Sequence, residues 1–239
     1  MFKTLISEPQ GEVDMSVDAL IVTRNLREVL PQTIKSLQLY PFKNIVIVTG
    51  EKNDLKRQKD WYDIIVYGGK EPLGQQRNIG LDLVEAEFVC MVDSDIVLTK
   101  GYIETLLKLF EDPKVAVARG RLFPLNPENL YSNIKSRITE AFNMIHRQVG
   151  CDAAVYRANI VKKVKFNPKL YTREDHDLNN RLRKLGYKVV FTKDAYCFHD
   201  FRMSIKLEVK HHAERGNVYA LLCSWARNIS RPIFFFMPW

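Results

Sequence analysis

The chain has 239 residues, a length typical of one α/β domain of roughly 200–250 residues. Hydrophobic residues at 46% and charged residues at 27% exclude an intrinsically disordered or fibrous chain. The formal net charge is +8, from 36 Lys and Arg against 28 Asp and Glu. This excess favours partners that carry phosphate or an anionic membrane surface, and a basic face that only keeps the protein soluble is the alternative.

The first half of the chain alternates between strand and helix patterns. Strands are predicted at residues 17–22, 45–48, 64–67 and 88–92, and helices at 26–39, 75–84 and 101–110. This alternation predicts an α/β fold with a mostly parallel, doubly wound sheet flanked by helices. Ligands of such sheets bind beyond the C-terminal ends of the strands.

The second half of the chain is less regular. Strands are predicted at 115–122, 153–156 and 188–191, and helices at 130–148, 178–185 and 204–229. A polar segment at 171–177 precedes the second of these helices, and Gly186 ends that helix. No linker divides the two halves, which predicts one domain.

The four cysteines and the N-terminal residues indicate the cellular compartment in which the protein is expected. The cysteines are far apart and form no CxxC pair, which indicates neither a zinc site nor a dense disulfide framework. The first residues contain too short an apolar stretch for a signal peptide, and no apolar run reaches 18 residues. We therefore expect a cytoplasmic protein without a membrane span.

Two carboxylates, Asp93 and Asp95, follow directly on the apolar run FVCMV. Placed where a buried strand ends, they can share a divalent cation, Mn²⁺ or Mg²⁺, and through it bind the diphosphate of a nucleotide. Asp-x-Asp is also common in turns and helix caps, and this is the alternative. The position after a buried strand favours the metal.

Three segments in a fixed order resemble the family-2-type glycosyltransferases, which are inverting enzymes of the GT-A fold. The segments are IVTRN, GQQRNIGLDLVEAEFVCMVDSDIVL and YTREDHDLNNRLRKLGYKVVF, the last followed by His199. The resemblance covers the chain from the first strand to about His199. It implies a catalytic domain at 1–203, with a nucleotide-sugar half at 1–100 and an acceptor half at 101–203.

The resemblance also implies roles for single residues. Asp93 and Asp95 correspond to the metal and diphosphate motif, with Asp95 the direct ligand, and His199 would complete the metal shell. Asp175 corresponds to the general base, and Glu174 is the second candidate for that role. The alternative for Glu174 and Asp175 is that they are acidic residues favoured by the helix dipole at the first turn of a helix starting near Asp177, without a catalytic role. The alternative for His199 is that it is a packed core residue.

A second group of residues is expected to surround the nucleotide. In the resemblance Arg77 approaches the diphosphate or the base, with Asn78 and Gly80 shaping the turn, whereas a surface arginine and a glycine needed for close packing are the alternatives. Thr23, Asn25 and Glu51 are expected around the nucleoside. Arg24 and Thr49-Gly50 depart from the family pattern, which leaves the base open.

Residues 204–239 form a basic extension with the aromatic end RPIFFFMPW. Basic residues attract anionic lipid headgroups and aromatic side chains settle at the interface, which predicts a peripheral membrane contact, at the cytoplasmic face, and a polyprenyl-phosphate acceptor. The alternative is that these aromatics pack on the domain or form an oligomer contact.

The function expected from the resemblance is a metal-dependent, inverting hexosyl transfer from a nucleotide-sugar donor to a sugar, protein or polyprenyl-phosphate acceptor. One alternative is a nucleotidyltransferase, although the glycine-rich phosphate loop expected near its N-terminus is missing. The other is an inactive module that binds phosphate or nucleic acid. No recognised nucleic-acid motif is present, so a nucleic-acid partner is not expected.

Overall fold

A single mixed sheet forms the centre of the computed structural model, which describes residues 16–23, 30–52, 62–146 and 148–201. Within these residues eight strands join the sheet. They are β1 (Val17–Thr23), β2 (Ile45–Thr49), β3 (Ile64–Tyr67), β4 (Phe88–Val92), β5 (Ile96–Leu98), β6 (Val115–Pro124), β7 (Ala153–Arg157) and β8 (Lys188–His199).

The strand order is β3-β2-β1-β4-β7-β6-β8-β5. The first four strands are parallel to one another. β7 runs antiparallel to both β4 and β6, β8 is parallel to β6, and β5 is antiparallel to β8. Six of the eight strands therefore point the same way, as the sequence predicted, and the C-terminal ends of β1, β2 and β4 lie at one edge.

Helices cover both faces of the sheet. They are α1 (Leu30–Leu37), α2 (Leu73–Leu83), α3 (Tyr102–Leu107), α4 (Leu130–His146), α5 (Ala158–Val164) and α6 (Glu174–Lys184). One core contains Ile21 of β1 with residues of α1 and α3. The other contains Leu20 with residues of α2, α5 and α6. Because neighbouring strand residues point to opposite faces, the continuous apolar run in β1 supplies both cores.

Several element boundaries differ from the prediction. The helix predicted at 178–185 begins at Glu174, because Arg173 adopts a left-handed conformation at its N-cap and three acids occupy the first turn, where the helix dipole favours them. β8 extends to His199 because it pairs with both β6 and β5. β5 and α5 were not predicted. The helix predicted at 204–229 lies outside the described residues.

Among the helices in these ranges, none combines the length and apolar character needed to cross a bilayer.

Candidate active site

The loop that follows β4 is fixed by hydrogen bonds to α1 and to the residue after β8. The Thr33 hydroxyl of α1 donates a hydrogen bond to the Ser94 carbonyl at 3.1 Å, and the backbone N–H of Leu98 donates to the Ser36 hydroxyl at 3.1 Å. The N–H of Asp200, the residue after β8, donates to the Asp95 carbonyl at 2.9 Å. These bonds hold the two predicted metal ligands, Asp93 and Asp95, at the C-terminal end of β4.

The side chains of Asp95 and His199 lie close together. Their atoms Oδ1 and Nε2 are 3.4 Å apart, because β5 and β8 pair with Ile96 opposite His199. Burial alone would lower the pKa of His199, but the hydrogen bond and negative charge of Asp95 outweigh it and raise the pKa above its usual value. The other ring nitrogen, Nδ1, is buried and has no hydrogen-bond partner among the residues that the structure describes.

The donor set of this loop suits a divalent cation only in part. Asp95 and His199 supply an oxygen and a nitrogen that suit Mn²⁺. Asp93 directs Oδ1 towards Arg77 at 3.5 Å, which occupies one of its two carboxylate oxygens. Within the described ranges, no three His, Cys, Asp or Glu residues already stand close enough to hold a metal. Asp95 and His199 therefore fit the predicted ion, and Asp93 would have to share its carboxylate with Arg77.

Arg77 of α2 is buried and connects two parts of the site. Its Nη2 lies 3.5 Å from Asp93 Oδ1 and 3.2 Å from Glu174 Oε1, and its guanidinium lies over the Phe166 ring at 5.7 Å. With 5% of its surface exposed, Arg77 is not the surface arginine of the alternative interpretation. It joins the loop after β4 to the first turn of α6.

The two adjacent acids of α6 have different surroundings. Glu174 is buried, 3% exposed, and burial raises its pKa to about 7, although Arg77 opposes this rise. Asp175 is half-buried, and its Oδ1 accepts a hydrogen bond from the His176 N–H at 2.7 Å. Glu174 therefore forms a buried ion pair with Arg77, whereas Asp175 remains partly accessible to solvent.

The pKa of the Asp93 carboxyl is raised above its usual value, to about 6. Partial removal from water is the main cause, Arg77 opposes it, and the charges of Asp95 and Asp152 add to it. The side chain of Asp93 is nevertheless 41% exposed. A carboxylate this close to other acids gains from a cation beside it, which agrees with the predicted chemistry of the loop.

Asn78 and Gly80 lie within α2, so the prediction that they shape a turn is wrong. The Asn78 amide exchanges two hydrogen bonds of 2.9 Å with the backbone of Phe166. A Cβ on Gly80 would lie 2.3 Å from Leu20 Cδ1. Gly80 therefore allows α2 to pack closely on β1, and Asn78 ties α2 to the segment that precedes α6.

The residues expected around the nucleoside lie at the ends of neighbouring strands. Thr23 ends β1, and its hydroxyl donates to Ser94 Oγ at 3.4 Å. Glu51 follows β2 and is exposed, with its N–H bonded to Thr49 Oγ1 at 3.2 Å. Asn25 lies outside the described residues. Thr23 and Glu51 are thus at the same edge of the sheet as Asp93.

A second buried ion pair beside the site was not predicted. Arg119 of β6, 2% exposed, lies 3.1 Å from Asp152 Oδ1, which directly precedes β7. The charge of Asp152 raises the pKa of both Asp93 and His199. An arginine inside the apolar strand VAVARGRLFP was the available signal, because a buried cation requires an acidic partner.

Residues 18–206 match the model of the family described as "Glycosyl transferase family 2". The match covers most of the chain and includes every predicted catalytic and metal-binding residue. This chain belongs to glycosyl transferase family 2.

Two curated relatives are named glycosyltransferases. The pre-mycofactocin glycosyltransferase of Mycobacterium tuberculosis is 27% identical over 231 residues, which cover 90% of this chain and 49% of that protein. Glycosyltransferase GlyA of Streptococcus pneumoniae is 23% identical over 215 residues, covering 78% of this chain and 31% of that protein. The chain thus spans about half, or less, of the length of these relatives.

Solved structures establish the GT-A fold that the sequence predicted. The mannosyltransferase PcManGT of Pyrobaculum calidifontis, in complex with GDP-Man and Mn²⁺, superposes with a TM-score of 0.68 at 12% identity, covering 93% of this chain and 68% of that one. S. aureus TarS 1-349, in complex with UDP-GlcNAc, gives a TM-score of 0.58 at 18% identity, covering 80% and 60%. At these identities the likeness concerns the fold.

Proposed function

We propose that the chain is a metal-dependent, inverting glycosyltransferase that moves a sugar from a nucleotide-sugar donor to a hydroxyl or lipid-phosphate acceptor. The observation that carries this proposal is the position of Arg77 between Asp93 and Glu174. It brings the carboxylates after β4 and the first turn of α6, where Asp175 lies, to one edge of the sheet. A donor bound at the loop after β4 and an acceptor bound at the first turn of α6 would then meet.

The donor side is formed by the loop after β4. Asp95, His199 and a shared Asp93 would hold Mn²⁺ or Mg²⁺, which supplies positive charge to the diphosphate of the leaving nucleotide when bound. Thr23, Asn25 and Glu51 would surround the nucleoside. The neighbours solved with GDP-Man and Mn²⁺ and with UDP-GlcNAc support a nucleotide-sugar donor and leave its base and sugar open.

The acceptor side is formed by α6. Asp175 would accept the proton of the acceptor hydroxyl as that oxygen attacks the anomeric carbon from the side opposite the departing diphosphate, which inverts the configuration at that carbon. Glu174 would not act as the base, because its carboxylate faces the buried guanidinium of Arg77. It would instead fix the first turn of α6 and so position Asp175.

The proposed organisation places catalysis in residues 1–203, with donor binding in 1–100 and acceptor binding in 101–203. Residues 204–239 would form an extension that contacts a membrane surface. Their excess of basic over acidic residues and the final aromatic run support this contact.

The test is the identity of the product. The full chain is incubated with nucleotide sugars, including GDP-Man and UDP-GlcNAc, with Mn²⁺ and candidate acceptors, and the released nucleotide is separated by chromatography. A transferase releases a nucleoside diphosphate, including by slow transfer to water. A nucleotidyltransferase would instead form pyrophosphate in a parallel reaction supplied with nucleoside triphosphates and sugar phosphates. Neither turnover nor nucleotide binding would identify an inactive module.

Two variants make this test specific to the site. Asp95→Asn is expected to abolish release of the nucleoside diphosphate. Asp82→Asn is the matched control, because Asp82 is an exposed carboxylate that pairs with Lys165 away from the loop. Equal activity in the two variants would contradict the donor site.

A further inference from the structure

Helix α4 has its polar side chains towards the protein and its apolar side chains towards solvent. The inward face includes the buried residues Ser132, Ser136 and Asn143. Ser136 Oγ donates to the Leu122 carbonyl at 2.8 Å, and Glu140 accepts bonds of 2.6 and 3.2 Å from Arg121. These contacts fix α4 on β6 through hydrogen bonds and an ion pair.

The outward face of α4 is an apolar stripe at helical spacing. Its members are Leu130 (74% exposed), Ile134 (47%), Ile138 (59%), Phe142 (42%) and Ile145 (75%). A surface helix of a globular protein normally shows the opposite arrangement, with the apolar stripe facing the core. A contiguous exposed apolar surface of this kind marks a contact site.

The charges of α4 indicate which partner fits. Lys135 and Arg137 are the cationic residues beside the stripe, and Arg137 is exposed. Glu140 is the only acid in the helix sequence, and its carboxylate, 15% exposed, is held by Arg121. The outward face is therefore apolar and basic, which complements a partner that is apolar and anionic.

Two other occupants are less complementary. A second copy of the chain would bring the same basic face, with Lys135 and Arg137, against itself. The chain's own segment 202–239 has more basic than acidic residues, so it too would bring positive charge to a positive face. An anionic lipid surface instead accepts aliphatic side chains and attracts lysine and arginine together.

The position of α4 links this surface to the active site. At its C-terminal half, the Phe142 ring stacks on His176 with centroids 6.2 Å apart, and His176 is the neighbour of Asp175. At its N-terminal end lies an open hollow of about 370 Å³ with a largely apolar lining, formed by Phe123, Pro124, Leu125, Pro127, Asn133 and Phe198. Lys135 Nζ lies 5.9 Å from the ring of Phe201, the residue from which the basic segment 202–239 continues.

We propose that the outward face of α4 docks on an anionic membrane surface, and that the acceptor is carried by a lipid of that membrane. The docking rests on α4 alone, whereas the lipid acceptor rests on the proposed transferase function. On a docked protein, lipid headgroups lie beside the helix that contacts the turn of Asp175. The apolar hollow at the start of α4 gives room for part of the lipid's hydrocarbon chain.

Vesicle sedimentation of the full chain tests the docking. Vesicles of phosphatidylcholine with and without phosphatidylglycerol are mixed with wild type and with the double variant Ile134→Ser/Ile138→Ser. The matched control is Leu39→Ser/Leu185→Ser, which removes two other exposed leucines (74% and 62% exposed). All three proteins keep residues 202–239, so binding by that segment is common to them.

We expect wild type and control to sediment with the anionic vesicles, and the α4 double variant to bind about tenfold or more weakly, because two aliphatic side chains no longer leave water. Arg137→Gln is expected to weaken binding to anionic vesicles and to leave the small binding to neutral vesicles unchanged. Equal binding by the α4 variant and the control would overturn the proposal, as would wild type that stays in the supernatant. Dimerisation of wild type that the α4 variant loses would identify a second copy as the occupant.

Nucleotide release with a water-soluble acceptor, measured on the same proteins, separates this inference from the transferase proposal. Equal release by wild type and the α4 variant shows an intact fold, so a difference in vesicle binding then belongs to α4. Vesicle binding without any release would retain the docking and remove the lipid acceptor. Release without vesicle binding would retain the transferase and remove the docking.

Discussion

The guanidinium of Arg77 lies 3.2 Å from the carboxylate of Glu174, and neither side chain is more than 7% exposed. The same guanidinium nitrogen reaches Asp93 at 3.5 Å. A pair of this kind is costly to form in the interior and more costly to break. Its structural effect is to connect α2, the loop after β4 and the first turn of α6, which carry the proposed donor and acceptor groups.

Replacement of Arg77 should destabilise the protein, because Glu174 then loses its buried partner. Arg77→Met leaves Glu174 buried opposite an apolar side chain, and loss of one partner of a buried pair costs about 3–5 kcal/mol of unfolding free energy. The double variant Arg77→Met/Glu174→Met should recover much of that loss and remain inactive. Urea denaturation of Arg77→Met, of Glu174→Met and of the double variant measures the loss of unfolding free energy in each. Strictly additive losses would show that the two side chains are not coupled.

A methyl group at Gly80 should be poorly tolerated. The Cβ of Gly80→Ala would lie 2.3 Å from Leu20 Cδ1 and 3.0 Å from Val48 Cγ2, so α2 must move away from the sheet or Leu20 must leave its rotamer. Such overpacking costs about 1–3 kcal/mol. Thermal or urea unfolding checks this value. In a Leu20→Ala background the same substitution should cost clearly less, and an unchanged cost would place the strain elsewhere.

Removal of divalent metal should stop transfer. We expect EDTA to reduce the release of nucleoside diphosphate to background and Mn²⁺ to restore it. His199→Gln should raise the Mn²⁺ concentration for half-maximal activity by about tenfold or more, as loss of even an outer-shell partner does. His176→Gln is the control, because His176 stacks on Phe142 and does not contact Asp95 in the described structure. Full activity in EDTA would contradict the metal site.

The sequence predicted the central strands well, because β1, β2 and β4 each contain a continuous run of at least four apolar residues that are almost all buried. The position of Asp93 and Asp95 followed from the end of β4. β5 has three residues, too few for a periodic pattern, and the start of α6 depends on a left-handed Arg173 that no local pattern indicates.

The assignment of partners within the site required the tertiary structure. Arg77 and Glu174 are almost a hundred positions apart in the sequence, and their pairing decides that Glu174 is buried while Asp175 is not. Arg119 and Asp152 also meet only through the order of β6 and β7. Which face of α4 points inward is decided by Arg121 and the carbonyl of Leu122 on β6.

The transfer rate and nucleotide affinity of Asp175→Asn, measured side by side, test most directly the claim that donor and base meet at this edge of the sheet. The asparagine keeps the size of the side chain and cannot accept the proton of a hydroxyl acceptor. The account predicts an unchanged dissociation constant for the nucleotide and a rate lower by about 10²–10⁴, the usual contribution of a general base. A rate and an affinity both equal to those of wild type would contradict it.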